Sequence, residues 1–189
     1  HDFVNLTIGL GATTAVTLVT DALDIDGTLT IDSVQDSLSM GALALTVTTL
    51  LNEGTIYLVG SQAFTITTPD TNSGTITYNG TEVYTGVAPI TQYWNLTISS
   101  SDGNSASWTF NAALNVDGAF TVTAGTVVLG AASDVDGLVT LGNDVDAVLN
   151  VGSSNFGLTV GGGWTDTGLG TFTEGTGTVT FDATGNINS

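Results

Sequence analysis

The side chains with chemistry to offer are carboxylates, and they come in pairs. Asp24 and Asp26, Asp134 and Asp136, and Asp144 and Asp146 each stand two residues apart, and Asn115 with Asp117 makes a partial fourth pair. On a strand this spacing puts both side chains on one face; in a turn it lets both wrap one cation. Hard oxygen ligands suit calcium, and a divalent ion would relieve repulsion in a chain with no lysine or arginine. Residues 133–146 hold Asp134, Asp136, Asp144 and Asp146 and are the preferred location for such an ion. The EF-hand pattern of spaced acids and a closing glutamate is missing. The competing reading is an Asp-Gly turn beside a solvated acidic loop.

Other chemistries are narrowed by what the chain lacks. It has 189 residues, 18 acids, no lysine, no arginine and no cysteine, for a formal net charge of -18. No cationic clamp for phosphate exists, and no basic patch for nucleic acid or an anionic membrane. Schiff-base lysine and arginine-finger chemistry are excluded. The single histidine is His1, which makes a Ser-His-Asp arrangement implausible. Glycoside hydrolysis needs only two carboxylates. Parallel β-helices that cleave polysaccharides often act on acidic sugars through cations, however, and none is present here. The sequence therefore predicts a non-enzyme with no cofactor beyond calcium. Three Asn-x-Thr sequons begin at Asn5, Asn79 and Asn95. Asn79, before Gly80, reads as the accessible one, while Asn5 and Asn95 fall in repeated strands. Trp94, Trp108 and Trp164 can stack on sugars, but packing is the favoured role. Ranks of Thr-x-Thr can order water on a flat face, although threonine is also simply an outward-facing strand former.

The elements that must position these groups are strands. Thr28-Leu29-Thr30-Ile31, Thr46-Val47-Thr48, Thr75-Ile76-Thr77-Tyr78 and Thr178-Val179-Thr180-Phe181 alternate with period two. Such segments send apolar side chains to one sheet face and threonines to the other. Asp26-Gly27, Asn79-Gly80, Asp102-Gly103, Asp117-Gly118 and Asp136-Gly137 read as turn pairs. Hydrophobic residues make up 41% and charged residues only 10%, which excludes a disordered acidic tail. No apolar run reaches the length of a membrane span, so no membrane insertion is expected. No signal peptide is visible, and secretion would make His1 a mature N-terminus. A chain without lysine or arginine also offers trypsin no site, which suits a protease-rich exterior.

The chain repeats itself. Asn5-Leu6-Thr7-Ile8 returns 90 residues later at Asn95-Leu96-Thr97-Ile98, each preceded by an aromatic residue. Residues 23–31 return 91 later at 114–122, and Gly74-Thr75-Ile76-Thr77-Tyr78-Asn79 returns 103 later at Gly177-Thr178-Val179-Thr180-Phe181-Asp182. The reading is a duplication, 1–92 and 93–189, with an insertion of about 12 residues inside 131–170. The end of one molecule against the start of another would nearly reproduce the internal junction between Tyr78 and Tyr93. Head-to-tail stacking follows as an expectation, as does its alternative, a slice of a longer repetitive chain.

Phe3-Val4-Asn5-Leu6-Thr7-Ile8, the Leu-x-Ile/Val-Asp-Gly segments and the run from Gly170 to Asp182 resemble repeats of large bacterial and archaeal surface proteins, adhesin-like or filament-forming. The resemblance covers most of the chain and implies a parallel β-solenoid with an extracellular structural or adhesive role. Such proteins are usually far longer.

The fold expected is all-β: a right-handed parallel β-helix is favoured over tandem β-sandwich domains, for which the Asx-Gly pairs would supply hairpins. Residues 1–10, apolar at Phe3, Leu6, Ile8 and Leu10, are the natural strand to offer a neighbour. The function expected is a structural subunit of an extracellular filament, sheath or surface layer, with itself as partner. A binding segment of a large adhesin, with glycans or a cell surface as partner, is the alternative.

Overall fold

A computed structural model describes residues 1–11, 13–102, 106–142, 144–151 and 156–188. The alternating segments form strands, and these strands pair in parallel throughout. The molecule is a parallel β-solenoid. Tandem sandwiches are ruled out, because a sandwich is built from antiparallel hairpins and no antiparallel pair occurs among the described strands.

A nine-stranded sheet runs the whole length, from Ala15–Thr17 to Asn186–Asn188. Its inward column steps through Val16, Leu38, Ile56, Ile76, Leu96, Phe120, Val139, Trp164 and Ile187, one residue per coil. The steps range from 18 residues (Leu38 to Ile56) to 25 (Val139 to Trp164). The longest step lies in the region where the sequence places an insertion, and residues 143 and 152–155 of it are outside the described set.

The rest of each coil is built in two ways. In the N-terminal coils one long strand does the work: Leu23–Ile31, then Leu45–Asn52, then the shorter Phe64–Thr68. The first of these carries a bulge between Ile25 and Thr28, where Gly27 sits. From residue 83 onward two separate sheets take over. One has five strands, from Val83–Val87 to Thr171–Thr173, and the other has four, from Asn115–Val116 to Val179–Phe181.

The core is one cluster from Ile8 to Trp164. Its largest buried side chains, Trp108, Tyr78, Tyr93 and Phe110, lie where the long strands hand over to the two shorter sheets. The ring of Tyr78 meets Phe110 edge-on at 5.7 Å, and Tyr84 stacks on Trp108 at 5.6 Å. The Trp108 Nε1–H donates to the Val59 carbonyl at 2.8 Å. This aromatic plug fills the change of cross-section.

The sequence repeat is out of phase with the sheets. Residues 23–31 form one bent strand, whereas their counterparts divide between Asn115–Val116 in the four-stranded sheet and Phe120–Ala124 in the nine-stranded one. The boundary at 92/93 falls inside the continuous sheet, where Thr75–Tyr78 pairs with Asn95–Ser99.

The handover also holds a buried hydroxyl pair. Tyr78 and Tyr93 meet at 3.3 Å, and the Tyr93 hydroxyl accepts from the Ile90 N–H at 3.3 Å. Burial pushes the Tyr93 phenol up to about 12 and drives Tyr78 higher than its usual value, the neighbouring tyrosine adding to the effect on Tyr78. A raised phenol favours the folded, neutral form. Its contribution is therefore complete below about pH 10 and is lost as pH climbs towards about 12. For Tyr93 that is roughly 2–3 kcal/mol. Alkaline melts should show stability falling over this window in the native chain and a shallower fall in Tyr93→Phe. An equal slope would remove Tyr93 as the cause.

Candidate assembly interface

Both ends of the solenoid present unpaired strand edges and uncovered core side chains. At the N-terminal end the first coil is Asp2–Phe3, Leu6–Ile8 and Ala15–Thr17. Residues 1–10, read from sequence as a strand to be offered to a neighbour, dock onto their own chain: Phe3 registers with Ile25, Leu6 with Leu29 and Ile8 with Ile31. Ile8 is buried, Leu6 half-buried and Phe3 41% exposed. Leu10 does not share their face. Gly9, Leu10 and Gly11 all have left-handed φ values, of 122°, 83° and 109°, which break the alternation and leave Leu10 80% exposed.

At the C-terminal end, Trp164, Phe172, Val179, Phe181 and Ile187 line an apolar hollow of about 190 Å³. Val179 and Phe181 register with the buried Leu158 and Val160, so they point inward. Phe181 is nevertheless 39% exposed and Ile187 63% exposed. Trp164 stays buried under the Phe172 ring, edge-on at 4.9 Å. A period-two pattern predicts the inward face; it cannot tell which coil is last.

The acidic pairs are placed as single faces or turns. Asp24 and Asp26 both face outward on Leu23–Ile31, as the spacing predicts. Asp134 and Asp136 are exposed at the strand Ser133–Val135. Partial burial raises the Asp134 carboxyl above its ordinary value, and the negative charges of Asp136, Asp182 and Asp117 push it further. Asp117 and Asp182 are brought to this pair by coil stacking; the sequence points to Asp117 only beside Asn115 and not to Asp182, because the coil length varies. Asp144 lies at a different corner, on the turn after Val139–Leu141. There its Oδ1 accepts from the Asp146 N–H and its carbonyl accepts from the Ala147 N–H, both at 3.0 Å. The four acids of residues 133–146 therefore serve two separate corners. Among the described residues no group of three or more acidic or histidine side chains is placed to hold a metal ion.

Two of the sequon asparagines are brackets between coils. The Asn5 Oδ1 accepts from the Thr28 N–H at 2.8 Å, and the Asn95 Oδ1 accepts from the Ala119 N–H at 2.9 Å. Asn95 also reaches the coil before it, its Nδ2 donating to the Gly74 carbonyl at 3.0 Å. Gly27 and Gly118 lie so close to these amides that a Cβ would stand 2.6 Å and 2.5 Å from the Oδ1 atoms. The signal was in the sequence as paired spacings, Asn5 to Gly27 and Asn95 to Gly118, each about one coil. Asn79 is half-buried after Thr75–Tyr78, beside the buried Gly80, and does not stand on an open hairpin. Trp108 and Trp164 serve packing, as described, and Trp94 is half-buried.

No family model matches the chain, and neither a curated protein nor a solved structure shows significant similarity to it.

Proposed function

We propose that this chain is a structural subunit of an extracellular filament, sheath or surface layer, which polymerises head to tail by continuing its sheets from one molecule into the next. The observation that carries this reading is the pair of complementary ends. Each exposes parallel strand edges around an uncovered apolar core, and such edges are templates for further pairing. The role is mechanical, not catalytic. Without lysine or arginine, His1 and the N-terminal amine are the only groups that could bring a positive charge to an ion pair, so backbone hydrogen bonds and apolar burial must join the subunits against a charge of -18 per chain. Screening that self-repulsion favours assembly. Purified chain should therefore form uniform filaments in negative stain, with added sodium chloride speeding growth. Filaments that dissolve in moderate salt, or a chain that stays monomeric at every salt concentration, would defeat the reading.

A further inference from the structure

The sequence duplication carries a template for the joint itself. Inside the molecule, Thr75–Tyr78 pairs in parallel with Asn95–Ser99 in the register Ile76↔Leu96, Thr77↔Thr97 and Tyr78↔Ile98. Asn95 locks this pair by donating from Nδ2 to the Gly74 carbonyl. The first strand has its sequence counterpart at residues 177–182, whose strand Val179–Phe181 ends the four-stranded sheet, and the second at residues 5–8, whose strand Leu6–Ile8 begins the N-terminal sheet, so the counterparts lie outside the nine-stranded sheet that holds the internal pair. The two halves of an internal strand pair are thus repeated at opposite ends of the chain, each with an open edge.

We infer that Val179–Phe181 of one molecule pairs in parallel with Leu6–Ile8 of a second copy, in the register Val179↔Leu6, Thr180↔Thr7 and Phe181↔Ile8, with the Asn5 amide donating to the Gly177 carbonyl across the joint. This rests on the head-to-tail reading above and adds its register.

Three further observations point the same way. First, Asn5 already makes, through Oδ1, the bond that Asn95 makes to the coil after it, and its Nδ2 lies on the side that Asn95 uses to reach the coil before it. Second, the other strand positions arrive in matching order. The last strands of the chain are Thr171–Thr173, Val179–Phe181 and Asn186–Asn188, and the first are Asp2–Phe3, Leu6–Ile8 and Ala15–Thr17. Stacked in that order, Phe172 meets Phe3 and Ile187 meets Val16, so the side chains uncovered at one end close over those at the other. The interface between molecules is then continuous with the coil-on-coil interface inside each one. Third, the register sets Asp182 opposite Gly9, so no carboxylates face one another along this strand pair. A shift of two residues would set Phe181 against Leu6 and separate Asn5 from Gly177.

The chain has no cysteine, so introduced pairs report alone. Neighbouring parallel strands hold registered Cα atoms about 4.8 Å apart, within the reach of a disulfide. The double variant Thr7→Cys/Thr180→Cys should give a covalent ladder of multimers under mild oxidation. The shifted pair Thr7→Cys/Asp182→Cys should cross-link roughly tenfold more slowly. Thr7→Cys/Thr30→Cys, registered within one chain, serves as the intramolecular reference. Asn5→Asp keeps an oxygen for the Thr28 N–H but replaces the donor, and should raise the critical concentration roughly tenfold while the monomer keeps its native circular dichroism. Filaments that cross-link better through the shifted pair would overturn the register and leave the filament reading standing. Asn5→Asp filaments that grow normally would overturn the amide bond across the joint. A wild-type chain that never assembles would overturn both readings together.

Discussion

Trp108→Ala lowers the melting temperature by roughly 10 °C or more, the largest effect expected of any core truncation in this chain. The side chain is fully buried, and losing so large a ring from a packed core costs about 3–5 kcal/mol. The Val59 carbonyl loses its donor, which adds about 1 kcal/mol or more. Tyr84 loses the ring it stacks on. The location makes the loss worse. Coils of a solenoid depend on their neighbours, and Trp108 sits where long strands give way to two shorter sheets. The N-terminal coils should therefore separate from the rest as a lower-melting unit, so that one transition becomes two by calorimetry. Trp108→Phe, which retains a ring, should cost about half as much. A shift below about 3 °C for the alanine variant would mean that the aromatic plug does not hold the handover.

Gly137→Ala, a change of one methyl group, should be nearly as damaging. The added Cβ would stand 2.1 Å from the Gly118 carbonyl oxygen and 2.4 Å from its carbon. Both are backbone atoms, so no rotamer change relieves the clash. The coils cannot part locally either, because Val135 and Val139, on either side, are paired to Val116 and Phe120 of the coil below. Overpacking of this kind costs about 3 kcal/mol. The cause is close approach, not backbone conformation. Gly41 is the converse case: φ is +55°, but a Cβ there meets nothing within 4 Å. Gly41→Ala should cost only about 1 kcal/mol. Urea midpoints for the two variants separate the mechanisms, and equal losses would show that corner spacing is not what Gly137 protects.

The sequence made the strands readable and the coil phase unreadable, for one physical reason. Alternation in Thr178-Val179-Thr180-Phe181 reports a sheet face directly, since side chains point to opposite sides in turn. The distance to the next coil is set by turns of differing length, so steps of 18 and 25 residues coexist and no fixed period appears. Glycine was misleading for the same reason. Asp26-Gly27 looks like a hairpin turn, yet Gly27 is a bulge within Leu23–Ile31, kept small by the Val4 carbonyl and Asn5 amide packed over it. The candidate interface divided along the same line. Leu6 and Ile8 share the inward face that alternation predicts, and Phe3 joins them only because the chain breaks between Asp2–Phe3 and Leu6–Ile8, whereas Leu10 leaves that face through a left-handed turn that only Gly9 and Gly11 hint at. The duplicated asparagines were visible as sequons; their role as brackets became visible only when Gly27 and Gly118 were brought beneath them.

In the proposed polymer one molecule continues the solenoid of the next. The nine strands of the continuous sheet, spaced about 4.8 Å apart, would then set the length that each subunit adds. Helical reconstruction or fibre diffraction of assembled chain should give a rise of about 43 Å per subunit, with strands perpendicular to the fibre axis and all subunits pointing the same way. A rise far from that value, or a two-fold axis relating neighbouring subunits, would contradict the account.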